Sequence, residues 1–337
     1  MNELVDKDLT PRLTTDATNA AELARLTKSR WLRAGLVALS TAGSLTLALG
    51  AAFYQLSGLL IRPRLKRMSQ LKSPHLRSFI RRLGIEFEDI TINSFDDTKL
   101  YGWWMGAGPD AATVIVLHGV KKNRTDVLRG ALVLRHAGFN VLVFDGRGHG
   151  DSGGRFVTYG FFERRDVETV LDYLVKEKGV DRNRVGLAGE SMGAAIALQV
   201  AAHNPGVRAV WADSPFASLR RVAQEFVRKV TGLPEAVLSP VLWTTLQVAN
   251  YRGKFDVKTV DPQVLAAKIN CPVYLVHGTE DQLIATAHSE HIFESLAGEK
   301  QIWIVEGAQH ARAIRRVKRE YKQRMVAFFE EKLKDKT

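Results

Sequence analysis

The chain has 337 residues, 45% hydrophobic and 25% charged, with one cysteine, Cys271. That composition excludes a disordered chain, an internal disulfide framework and a cysteine-based zinc site. The net charge of +12 first points to nucleic acid or an anionic membrane, and its placement separates the two. Residues 1–33 are net +1, residues 62–82 net +8, residues 83–310 net −3 and residues 311–337 net +6. The large middle has no basic surplus, so no nucleic-acid partner is expected.

In chain order, an N-terminal tail (1–33) leads into 28 residues without a charge, from Ala34 to Ile61. About 20 apolar residues suffice to cross a bilayer, so residues 34–61 are expected to form a transmembrane helix. Ser40, Thr41, Ser44 and Thr46 weaken the apolar character but are able to bond back to helical carbonyls. A cleaved signal peptide, with Ala48-Leu49-Gly50 as its small-residue site, is the competing reading. The 33-residue leader is long for one, so an uncleaved anchor is preferred. The linker 62–82 carries eight basic side chains, against four in residues 17–33. That bias places the following domain on the cytoplasmic side of a single-pass membrane protein. The same linker is expected to lie against anionic headgroups.

From residue 83 to the end, short apolar runs alternate with helical periods. Residues 85–93 and 99–105 read as a strand pair. Buried strands are expected at 114–119, 141–146, 184–190, 209–214, 272–278 and 301–307, with helices at 125–137, 163–178, 192–203 and 286–297. This is the pattern of a mostly parallel α/β sheet with helices on both faces. Residues 215–270 interrupt it with two helical periods, the size of a small helical lid. The segment 311–334 reads as one amphipathic helix. Its stripe of Ile314, Val317, Tyr321, Met325 and Phe328 covers the sheet. Its basic face, within 312–324, is either solvated or set against anionic lipid.

Gly189-Glu190-Ser191-Met192-Gly193 follows a predicted strand and opens an apolar helix, the setting of a nucleophile elbow. A serine nucleophile needs a base and the base an orienting acid. His310 and Asp281 follow the last two predicted strands, in the chain order Ser191, Asp281, His310. Glu280 and Asp213 are rival acids. His288 and His291 are expected at the surface, and His75, His136 and His203 at the surface or in packing. The amides of Val120 and Met192 are the candidate oxyanion donors. Gly119 and His118 support that loop, and Gly189 and Gly193 the elbow. No metal cluster or cofactor motif appears, so neither is expected.

These motifs resemble the serine-hydrolase branch of the α/β-hydrolase superfamily, near its membrane-anchored members and the serine-aminopeptidase-like group. The matching stretches are LHG at 117–119, FDGRGHGDSGG at 144–154, GESMGA at 189–194, DSPF at 213–216, HGTED at 277–281 and EGAQH at 306–310. The resemblance implies Ser191 as nucleophile, His310 as base, Asp281 as acid and Val120 and Met192 as oxyanion donors. It implies that Asp145, Arg147 and Gly148 shape the site without doing chemistry. Ile284-Ala285 stands where relatives often carry Val-Pro. The expected substrate is a small acyl ester or thioester. A peptidase is the rival enzyme, and Glu190, Glu225 and Glu235 would then be candidates to hold a substrate amine. A catalytically silent binding protein is the rival from another class. The apolar lid residues Phe216, Phe226, Leu233, Val237, Leu238, Val241, Leu242, Trp243, Leu246 and Val248 are read either as an acyl pocket or as lid packing.

Overall fold

The computed structural model describes residues 10–62 and 84–334. Most of the basic linker 62–82, His75 within it, and residues 1–9 of the tail lie outside the described residues. The chain divides into two units, residues 1–55 and 56–337.

The first unit is helical from Thr10 onward, within α1 (Thr10–Ile61). The helix thus begins well inside the expected tail. No glycine or proline lies between Arg12 and Ala34 to stop it. Residues Arg25–Ile61 are long and apolar enough to cross a membrane by length and composition. The hydroxyls of Ser40, Thr41 and Ser44 donate to carbonyls three or four residues back, at 2.8–3.0 Å. A serine or threonine folded back this way presents little free polarity outward.

The second unit is an eight-stranded sheet, counted among the described residues, in the order β1-β2-β4-β3-β5-β6-β7-β8. The strands are β1 (Glu88–Asn93), β2 (Lys99–Met105), β3 (Thr113–Leu117), β4 (Asn140–Phe144), β5 (Val185–Glu190), β6 (Val207–Asp213), β7 (Val273–Gly278) and β8 (Lys300–Val305). β1 and β2 form an antiparallel pair joined antiparallel to β4, and every other pairing is parallel. Every residue of β3, β4 and β7 is buried, as strands covered on both faces must be. One face packs on α3 (Glu163–Lys178), α4 (Met192–His203) and α8 (Ala287–Ser295). The other packs on α2 (Leu128–His136), α9 (Ala313–Arg316) and α10 (Lys318–Leu333).

The expected single C-terminal helix is therefore two. Val317 leaves helical geometry at φ −119°, ψ 53°, and one residue out of register still leaves Ile314, Tyr321, Met325 and Phe328 on the sheet. The lid supplies α5 (Leu219–Thr231) and α6 (Glu235–Gly253), followed by the short α7 (Pro262–Ala266). Of its ten apolar residues, Phe216, Leu238 and Leu246 are buried, whereas Phe226, Leu233, Val237, Val241 and Trp243 are exposed. The exposed five neither line a closed acyl pocket nor complete the lid's packing.

Candidate active site

The parallel strands end on one edge of the sheet, and the site is assembled there from the β3, β5, β6, β7 and β8 loops. The Gly-x-Ser-x-Gly turn connects β5 to α4 so tightly that its flanking residues have no room for a side chain. A Cβ on Gly189 would lie 2.5 Å from the Ala194 nitrogen. One on Gly193 would lie 2.6 Å from the Leu117 carbonyl carbon and 2.8 Å from the His118 oxygen. Ser191 itself takes φ 55°, ψ −117°, a conformation that side-chain-bearing residues rarely adopt. Its N–H is held by the Asp213 carbonyl at 2.8 Å.

Ser191 Oγ lies 2.8 Å from His310 Nε2, and His310 Nδ1 lies 2.6 Å from Asp281 Oδ2. Two tight loops make this relay. Gly307 (φ 67°) and Ala311 (φ 49°) turn the chain on either side of His310. The Glu280 N–H donates to the Ala308 carbonyl at 3.0 Å, and the Gly307 N–H to Thr279 Oγ1 at 2.9 Å. The acid and base loops are thereby pinned together. Burial by itself would raise the Asp281 carboxyl. Hydrogen bonds from His277 and His310, with the positive charge His310 can carry and the Ile284 N–H, hold it well below the usual carboxylate range. It stays an anion, able to accept the Nδ1 proton.

The rival acids do not reach the base. Glu280 is exposed. Asp213 instead accepts from Ser214 Oγ at 2.9 Å and from the Tyr321 hydroxyl at 3.0 Å, and Tyr321 in turn accepts from Trp211 Nε1 at 2.8 Å. Ser214 Oγ also accepts the Ala311 N–H at 3.1 Å. Asp213 thus braces the base loop from below. Burial, with Asp213 beside it, pushes the Glu190 carboxyl up to about 8.

The loop after β3 closes over the serine. A Cβ on Gly119 would stand 3.3 Å from Ser191 Cβ, so only glycine lets the loop come this near without displacing a neighbour. Val120 follows it, and Met192 opens α4 directly after the serine. Among the described residues, no group accepts a hydrogen bond from the Val120 or Met192 N–H. His118 holds this loop to the β4 loop. Its Nε2 accepts the Gly146 N–H at 2.9 Å, so its Nδ1 carries the proton and donates to the Gly119 carbonyl at 2.8 Å. His149 repeats the device, accepting the Lys121 N–H at 3.3 Å and donating to the Arg147 carbonyl at 3.0 Å. Burial holds both imidazoles near 4.

Beneath these loops, Asp145 binds Arg124, and Arg124 also pairs with Asp151 at 2.9 Å. Arg147 bridges Asp166 and Asp96 at 2.6 and 3.0 Å. Gly148 turns the loop beyond it at φ 70°.

Two histidines hold roles that the sequence reading did not assign. His277, fully buried, accepts from Ser289 Oγ at 2.7 Å through Nδ1, so its Nε2–H is left to donate to the Ile284 carbonyl at 2.9 Å and toward Asp281 at 3.2 Å. It holds the acid loop by both ends. His288, expected at the surface, is fully buried. Its Nδ1 accepts the Ala217 N–H at 3.0 Å and its Nε2 faces Glu225 of the lid at 2.8 Å. Helical spacing showed that His288 lies on a helix, but not that α5 crosses over it. His291 is half-buried, and His136 and His203 are exposed. Of the three candidate amine-binding carboxylates, Glu225 and Glu235 line a cavity of about 210 Å³ inside the lid. Glu190 stands at the elbow, and the three form no cluster. Among the described residues, no group of His, Cys, Asp and Glu could hold a metal ion.

A serine hydrogen-bonded to a histidine, and the histidine to a carboxylate, on a mixed sheet of this order defines a serine hydrolase of the α/β-hydrolase fold. The chain belongs to the prolyl oligopeptidase family, whose sequence profile matches residues 127–336. It is 33% identical to the protein YqkD of Bacillus subtilis over 220 residues, 65% of this chain and 71% of that one. The esterase Pf2001 of Pyrococcus furiosus superposes with a TM-score of 0.63 at 28% identity, covering 75% of this chain and 96% of that one. The acylaminoacyl peptidase of Pyrococcus horikoshii has the same fold, with a TM-score of 0.57 at 17% identity over 75% of this chain and 42% of that one.

Proposed function

We propose that this protein is a membrane-anchored hydrolase of carboxylic esters or thioesters, acting through an acyl-enzyme on Ser191. The observation that carries the reading is the continuous relay from Ser191 Oγ to His310 at 2.8 Å and on to Asp281 at 2.6 Å. Neutral His310 takes the serine proton at Nε2 while Oγ attacks the acyl carbon. The imidazolium so formed is stabilised by Asp281 through Nδ1–H. Charge on the carbonyl oxygen is met by the Val120 and Met192 N–H groups, the second backed by the N-terminus of α4. His310 then returns its proton to the departing alkoxide or thiolate, and a water deprotonated at the same Nε2 frees the acid. No metal or cofactor enters these steps.

The match to an esterase over nearly its whole length supports ester cleavage. The family profile supports peptide cleavage as the second reading. Labelling of Ser191 by a fluorophosphonate, lost in Ser191→Ala, is the expected result. Labelling that survives the substitution would remove Ser191 from its role, and folded wild-type protein that takes no label would favour a silent binding protein. Turnover of unactivated alkyl esters without cleavage of aminoacyl anilides decides for the esterase, and cleavage of the anilides for the peptidase.

In the same reading α1 crosses the bilayer, and the basic linker 62–82, with the basic face within 312–324, meets anionic headgroups on the cytoplasmic side. Protease protection of the hydrolase domain inside sealed inner-side-in vesicles is expected. Digestion from outside would reverse the orientation.

A further inference from the structure

The lid has a surface that a water-soluble enzyme has little reason to keep. α5 is strongly two-sided. Leu219, Val222, Phe226 and Val230 recur at intervals of three and four residues along one stripe, while Arg220, Arg221, Arg228 and Lys229 lie off it; Glu225 is the one acidic residue of the helix, and Glu235 of α6 shares a cavity with Arg221 and Arg228. Only the start of the stripe is buried: Leu219 is 2% exposed, Phe226 50% and Val230 69%. The stripe runs off the domain at the α5–α6 turn. There Leu233, Val237 and Val241 continue it, all exposed.

α6 is uncharged nearly all round, with Ser239, Thr244, Thr245, Gln247 and Asn250 among its apolar residues. No charge falls between Glu235 and Arg252, yet only one side of the helix is covered, by Leu238, Thr245, Leu246 and Ala249. Its outer side shows Val237, Trp243 and Tyr251. An uncharged helix that shows valine, tryptophan and tyrosine outward suits the boundary between water and lipid. A basic amphipathic helix with phenylalanine and valine on its apolar side is the pattern of an interfacial one.

The far end of α6 grips the end of α1. Arg252 donates to Ser57 Oγ at 2.6 Å. The last carbonyls of α1, which the helix itself cannot satisfy, accept from the body of the domain. Leu60 takes the Tyr159 hydroxyl at 2.9 Å and Ile61 the Val157 N–H at 2.9 Å. Ile61 is fully buried in the cluster that holds Leu246 and Ala249 of α6.

From these features we infer that the lid hairpin α5–α6 is itself a membrane-docking element, seating its apolar surface in the interface of an anionic bilayer. The inference rests on the reading of α1 as membrane-spanning. Chain continuity then holds the residues that grip Leu56–Arg62 at the bilayer surface. α6 runs from there for about 26 Å to the hairpin tip. Its uncharged outer side, with Trp243 and Tyr251, suits the headgroup boundary. The basic face of α5 suits anionic lipid. Lys229 of α5 bonds the Gln282 carbonyl, beside Asp281, at 2.7 Å, so docking of the hairpin brings the acid loop toward the membrane and favours an acyl ester that partitions into lipid.

The test uses the full chain in vesicles of phosphatidylcholine and phosphatidylglycerol. Cys271→Ser removes the native thiol, and Val230→Cys, Trp243→Cys or Val264→Cys carries an environment-sensitive fluorophore. Retention through alkaline carbonate washing first tests the anchor alone. With the anchor retained, labels at 230 and 243 are expected to shift to the blue and lose most of their emission to lipids brominated high in the acyl chain. The label at 264, an exposed position on α7 outside the α5–α6 hairpin, stays unquenched. An anchored protein whose 230 and 243 labels remain in water overturns the docking and leaves the anchor standing. Unquenched labels that cross-link between copies assign the surface to self-association and overturn it equally. Loss of the protein to the carbonate wash overturns the anchor and the docking with it.

Discussion

Replacing Gly193 by alanine tests whether close approach of β3 to the elbow is what aligns the oxyanion donors. The added methyl would sit 2.6 Å from the Leu117 carbonyl carbon, where carbon atoms prefer about 3.5–4.0 Å. Either the end of β3 or the start of α4 must therefore retreat by roughly 1 Å. Leu117 and His118 lead directly into Gly119 and Val120, and Met192 is the other displaced partner, so both proposed donors move relative to Ser191. A misplacement of this size costs on the order of 10²-fold in rate. Losing one donor costs about 10²–10³-fold. Gly193→Ala is thus expected to lower kcat for p-nitrophenyl acetate by about 10²-fold or more, with the far-ultraviolet circular dichroism of the folded protein retained. Gly130→Ala is the control, because its methyl would meet nothing closer than 3.9 Å and its place inside α2 favours alanine by about 1 kcal/mol. A folded Gly193→Ala protein with turnover close to wild type would refute the argument.

Acid should loosen the same loop. His118 is held near 4 by burial, below the free imidazole value of about 6.5, and its Nε2 accepts a backbone N–H only while unprotonated. The unfolded chain takes up this proton first, so stability present above about pH 6.5 falls away as the pH drops toward 4, by about 3 kcal/mol for this one ring. Urea unfolding of the detergent-solubilised protein at pH 7 and 4.5 checks it, and a His118→Phe variant with an unchanged pH dependence would count against it. Tyr321→Phe removes a hydroxyl that serves Asp213 and Trp211 at once. Two buried polar groups are left short of a partner, at about 1–3 kcal/mol each. A fall in unfolding free energy of roughly 2–6 kcal/mol is expected, and a loss below half a kcal/mol would show that Asp213 needs no such brace.

Much of the fold and the candidate site could be read directly from residue order. Short apolar runs rich in valine, isoleucine and leucine marked each parallel strand to within a few residues, because strands buried on both faces tolerate little else. Ser191, Asp281 and His310 were legible because glycine-flanked loops after apolar strands are where this architecture exposes side chains. His277 and His149 were not legible as supports. Their roles depend on which backbone groups stand opposite each ring nitrogen, a property of loops brought together from separate stretches of chain.

The charge has the same history. The sequence alone determined that the excess of +12 belongs to the chain's flanking segments and not to the enzyme body. It also determined that α1 is long and apolar enough to cross a bilayer. It could not determine which apolar lid residues are covered. Burial of Leu246 beside exposure of Trp243, on a helix with no charge between Glu235 and Arg252, follows from which side of α6 meets Ala195, Phe216 and the end of α1. Periodicity is silent on a helix whose apolar residues fall on every side. Only packing selects its inner face, and only then does an outer apolar face stand revealed.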